Sequence, residues 1–173
     1  MIDFTLSDEH LLLEQSIREW GAREVLPFIH DNDRQHHFDR ERILGGMAKL
    51  GLLGISVPQE YGGAGMDYIA LGIASEELEY LDTSLRVIMS VHAGLNCLTL
   101  LSWGTEDQKQ RYLVPQAQGH KISGYGLTEP GAGSDGVCPG AAHPGHPAVP
   151  PVRLHPAAGH GPGDAGVDPA GPG

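Results

Sequence analysis

The chain has 173 residues, 22 Asp and Glu against 11 Lys and Arg, and a formal net charge of −11. That length holds one ordinary domain, and the acidic balance excludes a nucleic-acid binder, which needs a basic face. Two Cys and the acidic start MIDFTLSDEH argue against a disulfide framework and a signal peptide, and fit a reducing cytoplasm.

The composition breaks after residue 135. Residues 1–135 hold every Lys, Glu, Ile and aromatic residue, whereas 136–173 hold nine Gly, nine Pro and seven Ala but one Leu. The first part reads as globular. The second is expected to be disordered, because it cannot bury enough apolar surface to offset chain entropy.

In chain order, Ser7 caps a first helix, with Asp8 and Glu9 in its first turn and Leu6 and Leu11 as a hydrophobic staple. Leu13, Ile17 and Trp20 continue its apolar stripe. Pro27 predicts a break, and FIHDNDRQHHFD a polar loop. A second helix starts near Asp39 with Ile43, Leu44, Met47 and Leu50 inward, and Gly51 suits its left-handed end. GLLGISVPQEYGGAGMD reads as a loop with one short extended piece. Asp67 caps a third helix carrying Leu71, Ala74, Leu78 and Leu81. Ser84 caps a fourth, apolar nearly all round and so expected at the centre. Its 85–103 run contains Arg86, His92 and Asn96, each costly in lipid, so a core helix is expected and not a membrane span. Thr105 to Gln108 fits a capping box opening a short helix to about Leu113, ahead of Pro115. KISGYGLTEP alternates like a strand. The fold class is therefore mostly α, an antiparallel helical bundle running into the first strand of a β-domain.

Three site patterns stand out. GAGSDG at 131–136 spells G-x-G-x-x-G, but Pro139 and the tail forbid the helix that a dinucleotide fingerprint requires. His30, His36 and His37 lie in a polar stretch without ligand spacing, and the tail's His143, His146, His155 and His160 with Cys138 have no fold to order them, so no metal site is expected. Thr128, Gly131, Gly133, Ser134 and Asp135 combine a hydroxyl with small residues whose backbone N–H groups are open to a phosphate. An ordinary glycine turn is an equal alternative on chemistry alone.

Together LGLLGISVPQEYGGAGMD, SVHAGL, GTEDQKQRYLVPQAQG and above all YGLTEPGAGSD resemble the acyl-CoA dehydrogenase family of flavoproteins, over nearly all of 1–135. The resemblance implies an N-terminal α-helical domain at 1–119 and the start of the middle β-domain at 120–135, followed by the unrelated tail 136–173. It implies that Tyr125, Gly126, Leu127, Thr128, Glu129, Pro130, Gly131, Ala132, Gly133 and Ser134 line FAD, with Thr128 at the flavin edge and Ser134 at the cofactor phosphates and near the acyl-CoA. The implied reaction is α,β-dehydrogenation of an acyl-CoA thioester. A carboxylate takes the α-proton, flavin N5 takes the β-hydride, and an electron-transfer flavoprotein reoxidises the cofactor. The intact family forms tetramers. Its proton-abstracting Glu belongs to the C-terminal domain, and 136–173 contain no Glu, so this chain has no candidate base and is expected to be inactive alone. Arg86, in RVIMSVH, matches an Arg that pairs with the distal carboxylate in glutaryl-CoA members. Val87 stands where they carry a hydroxyl, and the alternative is an Arg bonded to a neighbouring Glu. The runner-up functions are a flavin-dependent oxidase or monooxygenase of the same fold and a non-catalytic helical interaction module.

The tail reads as GC-rich DNA in a shifted frame: apart from Cys138, every residue type in it can be written with codons starting in G or C, and the break falls inside a motif. The rival is a genuine disordered extension. Resequencing the codons for residues 133–139 is expected to reveal a neighbouring frame that continues with a Trp-containing strand and, much later, an active-site Glu. No such frame would establish the short product as genuine.

Overall fold

Ser7 opens helix α1 (Asp8–Glu24) as its hydroxyl pattern predicts, accepting the His10 N–H at 3.3 Å. The return bond of the capping box comes from His10, whose Nδ1 accepts the Ser7 N–H at 3.4 Å. The opposite ring nitrogen, Nε2, lies 3.0 Å from Asp67 Oδ1. Asp67 is itself the cap of helix α4 (Tyr68–Leu81), accepting the Ala70 N–H at 2.9 Å. One imidazole thus joins two helix starts 57 residues apart in sequence. The Ala70 N–H, and next His10, hold the Asp67 carboxyl below its ordinary pKa.

The computed structural model describes residues 5–126, all within the first of the two units into which the chain divides, Met1–Gly136 and Val137–Gly173. The segment 136–173, read as disordered, lies outside the described residues.

Helices α1 and α4 run in the same direction, because three contacts step along both. After His10 and Asp67 comes Arg18, whose Nε and Nη2 donate to the two carboxylate oxygens of Glu77 at 2.8 and 2.7 Å. Glu77 is only 6% exposed, and a carboxylate so placed requires a charged, two-pronged donor. The third contact is Gly21 on Leu81, so close that a Cβ on Gly21 would stand 2.3 Å from Leu81 Cδ1.

Pro27 does end the first helix, but the polar stretch after it folds as helix α2 (Ile29–Gln35). It presents no fully buried residue, which is why apolar periodicity missed it. His36, at φ 50°, closes it in the left-handed region. Helix α3 (Arg40–Lys49) starts at Asp39, which accepts the Arg42 N–H at 3.1 Å, and ends before Gly51 at φ 73°. The connection to α4 holds two 3₁₀ turns, Leu52–Gly54 and Gln59–Tyr61, in place of the expected extended piece. Its Leu52, Leu53, Ile55 and Val57 are buried.

Helix α5 (Thr83–Trp103) is one 21-residue run. Its cap is Asp82, which accepts the Ser84 N–H at 2.7 Å, and not Ser84; a carboxylate one position before the helix intercepts the N–H groups first. Ser90–Cys97 within it is π-helical. Only one side of α5 is buried, with Val87, Leu95 and Trp103 exposed, which corrects the expectation of a helix central all round. After Gly104 the capping box forms as read, Thr105 accepting the Gln108 N–H and Gln108 the Thr105 N–H. The last helix, α6, is continuous over 106–117: α-helical Glu106–Gln108, π-helical Lys109–Leu113 and α-helical Val114–Ala117. It passes Pro115 because the π-helical turn ahead alters the i−4 spacing at which a proline ring would clash. Among the described residues no strand occurs. The part of the expected strand at 121–126 has no ladder partner there, and 127–130 lie outside the described residues.

The main apolar cluster gathers Ile17, Trp20, Met47, Leu53, Leu78, Leu85 and Met89. A second holds Val57, Cys97, Leu113 and Ala117. At Gly63 a Cβ would fall 2.1 Å from the Val57 carbonyl oxygen, a backbone atom that cannot rotate away. Gly63→Ala is expected to lower stability by about 3 kcal/mol, the upper end of overpacking costs. Gly72→Ala, in α4 with nothing within 4 Å of the new methyl, should raise it by about 0.5–1 kcal/mol through helix propensity. Urea midpoints of the two variants check the contrast, and a Gly63→Ala midpoint equal to wild type would contradict the packing described.

Candidate functional site

The π-helical stretch of α5 and the chain that leaves α6 form one site. Here the hydrogen-bond step lengthens from four residues to five, and side chains add bonds to backbone carbonyls. Asn96 Nδ2 donates to the Val91 carbonyl at 3.0 Å, and the Ser90 hydroxyl to the Val87 carbonyl at 3.1 Å. The stretch turns His92 fully inward, 0% exposed, toward the end of α6, which runs antiparallel to α5.

His92 Nε2 lies 3.1 Å from the Gln116 carbonyl oxygen. A carbonyl only accepts, so Nε2 carries the proton. Nδ1 then accepts from Ser123, whose backbone N–H is 3.1 Å away and whose hydroxyl is 3.0 Å away. The ring therefore bridges residues 116 and 123, the two ends of a turn around Gly119 at φ 76°. Further ties come from the Gly119 N–H to the Gln116 carbonyl at 2.9 Å and the Lys121 N–H to the Pro115 carbonyl at 3.0 Å. Ile122 packs on the main apolar cluster. Burial lowers the His92 pKa, partly offset by the Gln116 carbonyl, which matches the neutral tautomer that the bonds require.

Nearby Cys97 lies 3.9 Å from the Leu53 carbonyl and 4.0 Å from Gln116 Oε1. Burial raises its pKa to about 12, so it is a thiol and not a nucleophilic thiolate. At the far end of α6, the Tyr61 hydroxyl donates to Glu106 at 3.0 Å, and Lys109 lies over the Tyr61 ring, 5.4 Å from its centroid.

Of the ten residues expected to line a flavin, Tyr125 and Gly126 are described. Both are exposed, and a Cβ on Gly124 or Gly126 would meet nothing within 4 Å. Leu127, Thr128, Glu129, Pro130, Gly131, Ala132, Gly133 and Ser134 lie outside the described residues. Arg86 is at the start of α5, with Nε donating to Glu79 at 2.7 Å. Thr83 donates to the same carboxylate at 3.0 Å, and Arg86 first, then Thr83, lowers its pKa. This is the neighbouring-Glu arrangement named as the alternative for Arg86. His30, His36 and His37 line a separate cleft of about 610 Å³ with Phe38 and Asp82. Among the described residues no three His, Cys, Asp or Glu are grouped to hold a metal. Sequence reasoning missed the role of His92; the available signal was one imidazole inside the apolar run IMSVHAGL.

Residues 7–120 match the family described as acyl-CoA dehydrogenase, N-terminal domain. The chain is similar to the short-chain specific acyl-CoA dehydrogenase of Clostridium acetobutylicum, 43% identical over 134 residues, or 78% of this chain and 35% of that protein. Among solved structures it is similar to a glutaryl-coenzyme A dehydrogenase in complex with glutaryl-CoA, with a TM-score of 0.73 and 34% identity over 78% of this chain and 34% of that one. It is also similar to the acyl-CoA dehydrogenase of Bacillus anthracis complexed with FAD, with a TM-score of 0.68 and 32% identity over 79% and 23%. The chain thus spans about a third of the length of the curated relatives it matches.

The His92 geometry carries a pH dependence. Its folded pKa lies below the ordinary 6.5, so near that pH the unfolded chain binds a proton that the folded chain refuses. The stability contributed is whole above about pH 6.5 and declines as the pH falls below it, until the folded imidazole titrates as well. Urea midpoints between pH 7 and 5 should fall more steeply for wild type than for His92→Gln. Parallel slopes would assign the loss to other groups.

Proposed function

Because the chain belongs to the acyl-CoA dehydrogenase family, we propose that it is the N-terminal α-domain, with the start of the β-domain, of an FAD-dependent enzyme that dehydrogenates an acyl-CoA thioester between Cα and Cβ. The observation that carries this reading is the clasped exit segment. It follows the matched helical domain directly and brings Tyr125 and Gly126 to open space at the head of the flavin motif.

In this reading residues 1–119 form the helical domain and 125–134 hold FAD, with Thr128 and Ser134 as donors and Gly131 and Gly133 admitting the phosphates. FAD, when bound, supplies the hydride acceptor. The chain's own part is to bind and orient. After Glu129 it contains no Glu, so the carboxylate that takes the α-proton is a contribution from outside it. An electron-transfer flavoprotein as redox partner, a tetrameric enzyme and a cytoplasmic setting belong to the same proposal. In this reading the acyl group is short and uncharged, and the Arg86–Glu79 pair is in keeping with it. The identity to a short-chain specific relative supports that choice.

Two preparations test the proposal. The 173-residue chain alone should bind FAD weakly at best and show no dye reduction with butyryl-CoA. A chimera in which residues 1–126 replace the corresponding part of the Clostridium acetobutylicum relative should purify with stoichiometric flavin that butyryl-CoA bleaches. A folded chimera without flavin or turnover would defeat the proposal. Stoichiometric, substrate-bleached flavin on the chain alone would defeat the claim that it is catalytically incomplete.

A further inference from the structure

We propose that His92 is a positioning residue: its neutral imidazole clamps both ends of the turn between residues 116 and 123 and so sets the course of the backbone into Tyr125 and Gly126, the head of the proposed cofactor-binding segment. This rests on the reading of that segment as the flavin cradle.

The geometry is specific to a group with a donor at one end and an acceptor at the other. Nε2–H meets the Gln116 carbonyl, and Nδ1 meets both donors of Ser123. The Gln116 carbonyl also accepts the Gly119 N–H, so both of its lone pairs are used. Two residues beyond Ser123 the chain reaches Tyr125, which is exposed. Gly124 and Gly126, on either side of Tyr125, touch no neighbouring element within 4 Å of a Cβ position. Past Ile122, which packs on the main cluster, the Ser123 bonds to His92 hold the described chain just ahead of Tyr125 and Gly126. His92 sits on α5, whose buried neighbours Met89, Ala93 and Cys97 hold the helix in place. The imidazole therefore transmits the position of a packed helix to the exposed residues Gly124, Tyr125 and Gly126. A purely space-filling role would be met by an aromatic hydrocarbon; a clamping role would not.

The test uses the full 173-residue chain and three variants: His92→Gln, His92→Phe and Ser123→Pro. The readouts are native-state trypsin cleavage after the exposed Lys121, thermal unfolding in parallel, and the ¹⁵N signature of the imidazole. Wild type should show the Nε2–H tautomer and resist cleavage at Lys121. His92→Phe should speed that cleavage about tenfold, as expected when a local opening loses buried hydrogen bonds. His92→Gln, which retains a donor and an acceptor, should stay within about threefold of wild type. Ser123→Pro leaves the imidazole in place and removes the two Ser123 donors, so it should match His92→Phe and decides the question if the Phe variant fails to fold. Resistance of Ser123→Pro equal to wild type, a Gln variant as labile as the Phe variant, or an Nδ1–H tautomer would each overturn the proposal. A folded chimera carrying residues 1–126 that never takes up flavin would defeat the cofactor reading and leave these outcomes intact.

Discussion

One helix belongs to both apolar clusters, and the rest of the fold is arranged around how it does so. Leu85, Met89 and Ala93 of α5 lie in the main cluster and Cys97 in the second. They are spaced by four. In a regular α-helix of 3.6 residues per turn each such step drifts by about 40°, so three steps would carry Cys97 roughly 120° off the face that Leu85 occupies. The π-helical turn over Ser90–Cys97 has more residues per turn and removes much of that drift. The stripe stays turned inward, and His92, one position before Ala93, comes to the junction where α6 ends. The local irregularity is what lets a single helix close two packed groups and hold a polar clasp between them.

The clasp has a counterpart at the opposite end of the sequence. His10 joins Ser7 to Asp67 as His92 joins Gln116 to Ser123. Each imidazole joins its own helix to another part of the chain, and each depends on its two ring nitrogens taking opposite roles. The His10 side chain keeps 12% of its surface exposed, and its partner Asp67 is more exposed still, so water can replace a lost bond there. His92 is fully buried and has no such substitute, so its bonds bear more directly on the placement of the chain around it.

Much of this architecture was legible from local chemistry. The caps at Ser7, Asp39 and Asp67, the Thr105–Gln108 box and the left-handed Gly51 are contacts within a few residues, and sequence spacing reports those well. Helix α2 was not legible, because it has no apolar stripe to read. The cap on α5 moved from Ser84 to Asp82 because two suitable residues compete and only backbone geometry chooses between them. The π-helical turns and the Arg18–Glu77 bond depend on tertiary packing, as does the bridge from His92 to Ser123. The residue that bonds Ser123 lies 31 positions away from it, in an apolar helix where a lone His attracts little notice.

The outer side of α5 explains a further discrepancy. The helix is long and apolar enough to cross a membrane by length and composition, yet only 28% of its most apolar window is buried, and Trp103 is 86% exposed. Three of its polar residues are nevertheless engaged by protein groups: Arg86 by Glu79, His92 by Gln116 and Ser123, Asn96 by the Val91 carbonyl. A helix facing lipid would have to place the Arg86–Glu79 pair, which is partly exposed, in or near hydrocarbon. A helix between domains has reason for both features, since one side completes the local core and the other offers apolar surface to the next domain. The hydropathy of α5 is thus divided between an inner side that completes the local core and an outer side that carries exposed apolar surface.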